Sequence, residues 1–197
     1  MTQVFYGLLL YIFLAMPPVV HFLESIMVLH MHMQMPMLVA SGFFMAPFFQ
    51  KRFPQFFSKW NGDGVPGIVL FSIIMVYWTI PRTMDEALTI PAVELFKFIS
   101  IPFLAGVPLR DSWMKLSKWG RHVVLIGFTL LFIVMGLLYV LTPVQLCNSY
   151  LVIDQFTLGW GFLTTSIGMI VYLIYAFVVD PSKYEGIPPE DMSSSDE

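Results

Sequence analysis

The chain has 197 residues, of which 57% are hydrophobic, 16% aromatic and only 12% charged, with a mean hydropathy of +0.77. That balance excludes a soluble domain of this length and predicts an all-α integral membrane protein, a polytopic bundle of about six transmembrane helices. The formal charge of −3 is uneven: residues 180–197 carry six acids against Lys183, a balance of −5, so the rest is +2 and nothing argues for a nucleic-acid partner.

In chain order, apolar runs bounded by charge or proline fall at 3–16, 22–48, 65–80, 91–110, 121–141 and 154–179. The first run lacks a basic start and a small-residue cleavage site, so it reads as a retained helix and not a signal peptide. Pro17 and Pro18 should close it, since neither can donate the next backbone hydrogen bond. Lys51, Arg52 and Lys59 follow the second run and Arg110, Lys115, Lys118 and Arg121 flank the fourth-to-fifth loop, whereas the alternate loops offer only Arg82. The positive-inside rule then expects a transmembrane domain over 1–179, both termini in the cytoplasm, and an acidic cytoplasmic tail over 180–197. The tail, rich in Pro, Ser and acid, reads as a disordered end or as a strap on a partner subunit. His21, Glu24, Asp85, Glu86 and the 147–154 stretch would share the outer side.

The stretch from His21 to Met37, HFLESIMVLHMHMQMPM, holds three of the four histidines and five of the fourteen methionines. On a helix turning about 100° per residue, Met27, His30, Met31 and Gln34 share a face that Glu24 and Met35 extend. Thioethers beside an imidazole suit Cu(I), which hard-cation sites do not. A methionine stripe is also ordinary core packing, and a buried imidazole also serves as a structural hydrogen-bonding group. His30 and His32 lie about 160° apart, so one helix alone cannot bring both to one ion. Pro36 should free a carbonyl near His32 and kink the helix, either beside a site or as plain packing strain.

Glu94 and Lys97, three apart, can pair on one face of the fourth segment, as a structural pair or one facing a polar cavity. Asp154 and Gln155 open the last segment, with Asp154 read as a helix N-terminal acid or as a partner of the second-segment cluster. The lone Cys147 permits no internal disulfide and no thiolate cage, although an outer thiol could take copper. GxSxG, HExxH and P-loop motifs are absent, and the histidines do not supply matched pairs for bis-imidazole haem, so no enzyme is expected.

PPVVHFLESIMVLHMHMQMPMLVASGFFMA, over 17–46, resembles the HM-x-x-QH segment of CtaG-type membrane proteins, the bacterial cytochrome c oxidase assembly factors, and of a related archaeal family. YWTIPRTMDEAL resembles that family's WHxP-x-x-x-D-x-A-L block, PAVELFKFISIPFLAG its H-x-x-E-H helix, and VIDQFTLGWGFL its DQ-x-x-x-G segment. The resemblance implies a helical membrane protein connected with copper delivery or with assembly of a copper enzyme. His30 and Met31 stand where the family has HM, and Asp154 and Gln155 where it has DQ. The other family histidines fall on Met35, Thr79, Glu94 and Phe98, with Lys97 at the family's Glu, so the chain reads as a divergent member with most family ligands replaced.

Two functions follow as expectations. One is a non-catalytic accessory subunit of a multi-subunit membrane copper enzyme, a terminal oxidase of a respiratory chain or a membrane copper monooxygenase, packed in the bilayer against the enzyme's other integral subunits. The other is a copper-binding assembly factor, with His30, Met31, Met27, Met35 and Asp154 as copper ligands. Copper is the sole cofactor suggested, and no catalytic residue is assigned.

Overall fold

The computed structural model describes residues 2–179, which leaves the 180–197 tail outside the described residues. Within them the chain forms nine helices and no strand. In order they are α1 (Thr2–Leu14), α2 (Pro17–Glu24), α3 (Leu29–Gln34 continuing as Met35–Arg52), α4 (Pro54–Trp60), α5 (Val65–Thr79), α6 (Pro81–Thr89), α7 (Pro91–Lys115), α8 (Lys118–Leu141) and α9 (Val152–Val178). Each of the expected apolar runs therefore carries a helix.

Proline opens helices here more often than it ends them. Pro17, Pro54, Pro66, Pro81 and Pro91 all occupy a first or second helical position, where the missing N–H has no intrahelical partner to lose. Pro17 and Pro18 thus start α2 at 70° to α1, and do more than terminate the first run. α4 and α5 meet at 87° across a turn whose Gly64 has φ of +83°, a left-handed conformation that suits glycine. Ser117 caps α8 by accepting from the Gly120 amide at 3.1 Å.

α7, α8 and α9 are each long and apolar enough to cross a membrane, and the count rises to five if α1 with α2 and α4 with α5 each make one bent span. α3 falls outside that count because His30, His32 and Gln34 near its start and Gln50, Lys51 and Arg52 at its end lower its hydropathy, and it packs between α1 and α7. Gly42 of α3 meets Gly106 of α7, where an added Cβ would lie 1.9 Å from the Pro102 carbonyl oxygen and 2.4 Å from that of Val39 respectively. Small residues let these two backbones touch, as they do in membrane helix pairs.

Both helices also change pitch, α7 at this crossing and α3 two turns before it. Instead of the expected kink at Pro36, Leu29–Gln34 widens to a π-helical turn, and the Met35 amide donates to the carbonyl of His30, five residues back. α7 repeats the device over Ser100–Gly106: the Val107 amide, just before Pro108, donates to the Pro102 carbonyl. A wider turn accommodates the proline ring without the clash it would have with the carbonyl four residues earlier. α8 and α9 form an antiparallel hairpin that packs mainly on itself, and it joins the bundle through side chains such as Phe71 on Phe128, with ring centroids 5.3 Å apart, and His32 on Phe162, 4.8 Å apart.

Candidate functional site: a buried polar centre

The face drawn from the sequence is buried. Met27, His30, Met31, Gln34 and Met35 all point into the bundle, with His30 and Gln34 wholly inaccessible. Glu24 reaches the same place from a different element, since the chain breaks at Ser25 and Ile26 and Glu24 ends α2. That corrects the expectation of one continuous helical stripe through Glu24.

The centre's cation comes from α7. Lys97, with no exposed side-chain surface, forms an ion pair with Glu24, whose side chain keeps 11% exposure. This corrects the expected pairing of Lys97 with Glu94: the chain turns Lys97 inward toward α2 and α3, while Glu94 stays half-buried. The Lys97 ammonium also lies 3.4 Å from Gln34 Oε1 and 3.5 Å from His30 Nε2, and 4.9 Å from the centre of the Phe98 ring. Gln34 Nε2 donates to Glu24 Oε1 at 3.2 Å, so the amide bridges anion and cation.

Tyr150 completes the set from the loop between α8 and α9. Its hydroxyl donates to the backbone oxygen of Glu24 at 2.8 Å and lies 2.9 Å from His30 Nδ1. A phenol has one proton, and with that proton on the Glu24 carbonyl it must accept from His30. The network therefore assigns the proton to His30 Nδ1 and leaves the Nε2 lone pair facing Lys97. Burial first, and then the Glu24 carboxylate, push the Tyr150 phenol above its ordinary range, which keeps it protonated for this role.

The loop over 142–151 is held down firmly enough to position Tyr150. Gln145 Nε2 donates to the carbonyls of Tyr150 at 2.6 Å and Cys147 at 3.0 Å, and Gln155 Oε1 accepts from the Leu146 amide at 2.8 Å. Ser149 donates through its amide and hydroxyl to Asp85 Oδ1, at 2.9 and 2.6 Å. Cys147, expected as an outer thiol, is buried beside the Pro81 carbonyl. Burial, then the nearby Asp85 carboxylate, push its thiol up to about 11.

Of the candidate copper ligands, Met27, His30, Met31 and Met35 are thus brought to one buried face. Asp154 lies in the first turn of α9, half-buried, with no side-chain hydrogen bond to this centre among the described residues. His32 faces α9, where it packs on Phe162 and Gly161, and His21 is exposed on α2. Thr79 donates to the Val76 carbonyl at 2.7 Å.

A second polar knot at the opposite end of the bundle went unread in the sequence. Asp111 accepts from Asn61 Nδ2 at 2.6 Å, Gln50 Nε2 at 2.8 Å and Lys115 Nζ at 2.7 Å, while Asn61 Oδ1 accepts from the Gly67 amide at 2.8 Å. It ties α3, the α4–α5 turn and α7 together. The only signal available was several polar residues near segment ends, and their pairing across 50 and 61 residues leaves no periodic trace. No protein-family model, curated protein or solved structure matches the chain.

Proposed function

We propose that this chain is a non-catalytic accessory subunit of a multi-subunit membrane copper enzyme, a terminal oxidase or a membrane copper monooxygenase, and that it stabilises the catalytic subunits through its helices. The observation that carries the non-catalytic part is the saturation of the polar centre by the chain's own groups. His30 spends Nδ1 on Tyr150 and turns Nε2 toward Lys97, which is itself paired with Glu24. Buried ionisable groups inside a membrane normally mark a working site, and here each has an internal partner that makes the cluster a pin between α2, α3, α7 and the Tyr150 loop. The accessory part draws on the α8–α9 hairpin, whose most apolar stretches are only 22% and 17% buried, against 50% for α7, leaving long apolar surface for lipid and neighbouring subunits. The copper-enzyme part rests on the resemblance to CtaG-type proteins. In this reading both termini lie in the cytoplasm.

Gentle solubilisation followed by sizing and subunit identification tests it. A fixed-stoichiometry complex containing a copper enzyme is the expected result, and a chain that migrates alone sinks the reading. Tags at the two ends should be equally shielded from an external protease. The second reading, a copper-binding assembly factor, is favoured by the burial of Met27, Met31 and Met35 on the His30 face. It predicts copper retained by the purified chain and lost in His30→Ala, with enzyme maturation impaired in the same variant.

A further inference from the structure

The ends of α8 and α9 near Lys118 and Val179 line an open cleft of about 530 Å³ that neither the polar centre nor the proposed subunit role uses. Its wall carries Lys118, Arg121 and His122 from the first turns of α8, Tyr172 and Tyr175 from the end of α9, and Trp113 from α7. His122 stacks on Phe177 with ring centroids 4.8 Å apart, which holds the imidazole against α9. Arg121 leans over the Trp113 ring at 5.9 Å, and its Nε is buried without a hydrogen-bond partner among the described residues. None of the three basic side chains belongs to an ion pair among those residues. An unpaired Nε donor next to two further basic side chains makes an anion the ligand this cleft favours.

Position narrows the missing partner. The cleft lies at the ends of two helices long and apolar enough to span a bilayer, on the end where Arg110, Lys115 and Lys118 gather. Tyr and Trp at such ends mark the headgroup level, and basic pockets between helices there take acidic headgroups. The geometry points to this cup as a binding site for an anionic phospholipid: Lys118, Arg121 and His122 hold the phosphate, Tyr172 and Tyr175 flank the glycerol region, and the acyl chains run along the apolar α8–α9 surface. The inference stands independently of the copper reading.

The test uses the full-length chain in mild detergent, with phosphatidylglycerol and phosphatidylcholine of identical acyl chains titrated and bound lipid read by native mass spectrometry. Phosphatidylglycerol should bind at least about tenfold more tightly, and K118Q/R121Q should weaken it about 30-fold, roughly fivefold per charge. K51Q/R52Q, which removes two charges elsewhere on the same end, should leave affinity unchanged. Should the double variant fail to fold, K118Q alone should cost about fivefold while R121K retains binding. Equal binding of the two lipids, or an equal loss in K51Q/R52Q, overturns the site. Displacement of the lipid by inorganic phosphate overturns the lipid assignment. The acidic residues after Val179 are a competing occupant: if phosphatidylglycerol binds only once E190Q, D191N, D196N and E197Q are introduced together, the tail fills the cup and the inference fails.

Discussion

Removing the charge on Lys97 should separate a structural pin from an incidental contact. In Lys97→Met the Glu24 carboxylate keeps only Gln34 Nε2 as a side-chain donor, and in Glu24→Gln a fully buried ammonium loses its anion. Breaking a buried pair from one side costs about 3–5 kcal/mol, because the remaining charge is left in a poor solvent. Glu24 retains 11% of its side-chain exposure and can regain some water, which places Lys97→Met near the lower figure and Glu24→Gln near the upper. The double variant E24Q/K97M removes both charges and should cost only about 2 kcal/mol, which against the sum of the two single losses is a coupling energy of about 6 kcal/mol. Reversible unfolding in mixed detergent micelles, monitored by tryptophan fluorescence, reads all four corners of the cycle. A coupling below about 1 kcal/mol, the size found for exposed pairs, would refute the pin.

Three further outcomes follow from the packing. Gly42→Ala places a Cβ 1.9 Å from the Pro102 carbonyl oxygen and should destabilise by about 3 kcal/mol or more, whereas Gly127→Ala, with nothing within 4 Å, should be neutral in the same unfolding assay. Partial burial works to raise the Asp85 carboxyl, but the hydrogen bonds from Ser149 and Asn148 more than reverse this and hold it below the usual carboxylate range. Its contribution to loop docking is therefore complete above the unfolded value of about 3.9 and lost as pH falls through the lower folded value, so Ser149 amide exchange should accelerate only under strong acid; Asp85→Asn should abolish that pH step. With its thiol at about 11 against an ordinary 9.0, Cys147 should alkylate at pH 8 at least about 100-fold more slowly than an exposed thiol, and fast labelling of the native chain would contradict its burial.

Periodicity located the helices and the inward face of α3, because Met27, His30, Met31 and Gln34 recur at helical spacing and apolar runs betray membrane segments. It could not say what the face meets. Glu24 and Lys97 are 73 residues apart, and the nearer Glu94 offered a local alternative that the rotation of α7 does not use. Tyr150 was invisible for a related reason: a loop residue gains its role from anchors such as Gln145, Ser149 and Gln155, whose partners lie on other elements. Pro36 was read as a kink, and the chain resolves it within its own backbone, as a wide turn over Leu29–Gln34 that leaves no periodic trace in the sequence. Asp154 shows the reverse case, a chemically suggestive residue that the fold leaves in the first turn of α9 while its neighbour Gln155 is buried and bonded.

A π-helical turn contains one more residue than the α-turn it replaces, so in α3 and α7 it acts as a one-residue insertion that resets the phase of everything on its amino-terminal side. In α7 the crossing of Gly42 and Gly106 fixes the carboxy-terminal half and the inserted residue decides which way Pro91–Ile99 faces, whereas in α3 the wide turn is itself the first turn and carries His30 and Gln34. Deleting a single residue from both turns would swing Met27 and Lys97 by about 100° without altering either side chain. The charge that fills the polar centre is thus set by the length of a helix as much as by its residues, since the same Lys97 on a helix one residue shorter would no longer face Glu24.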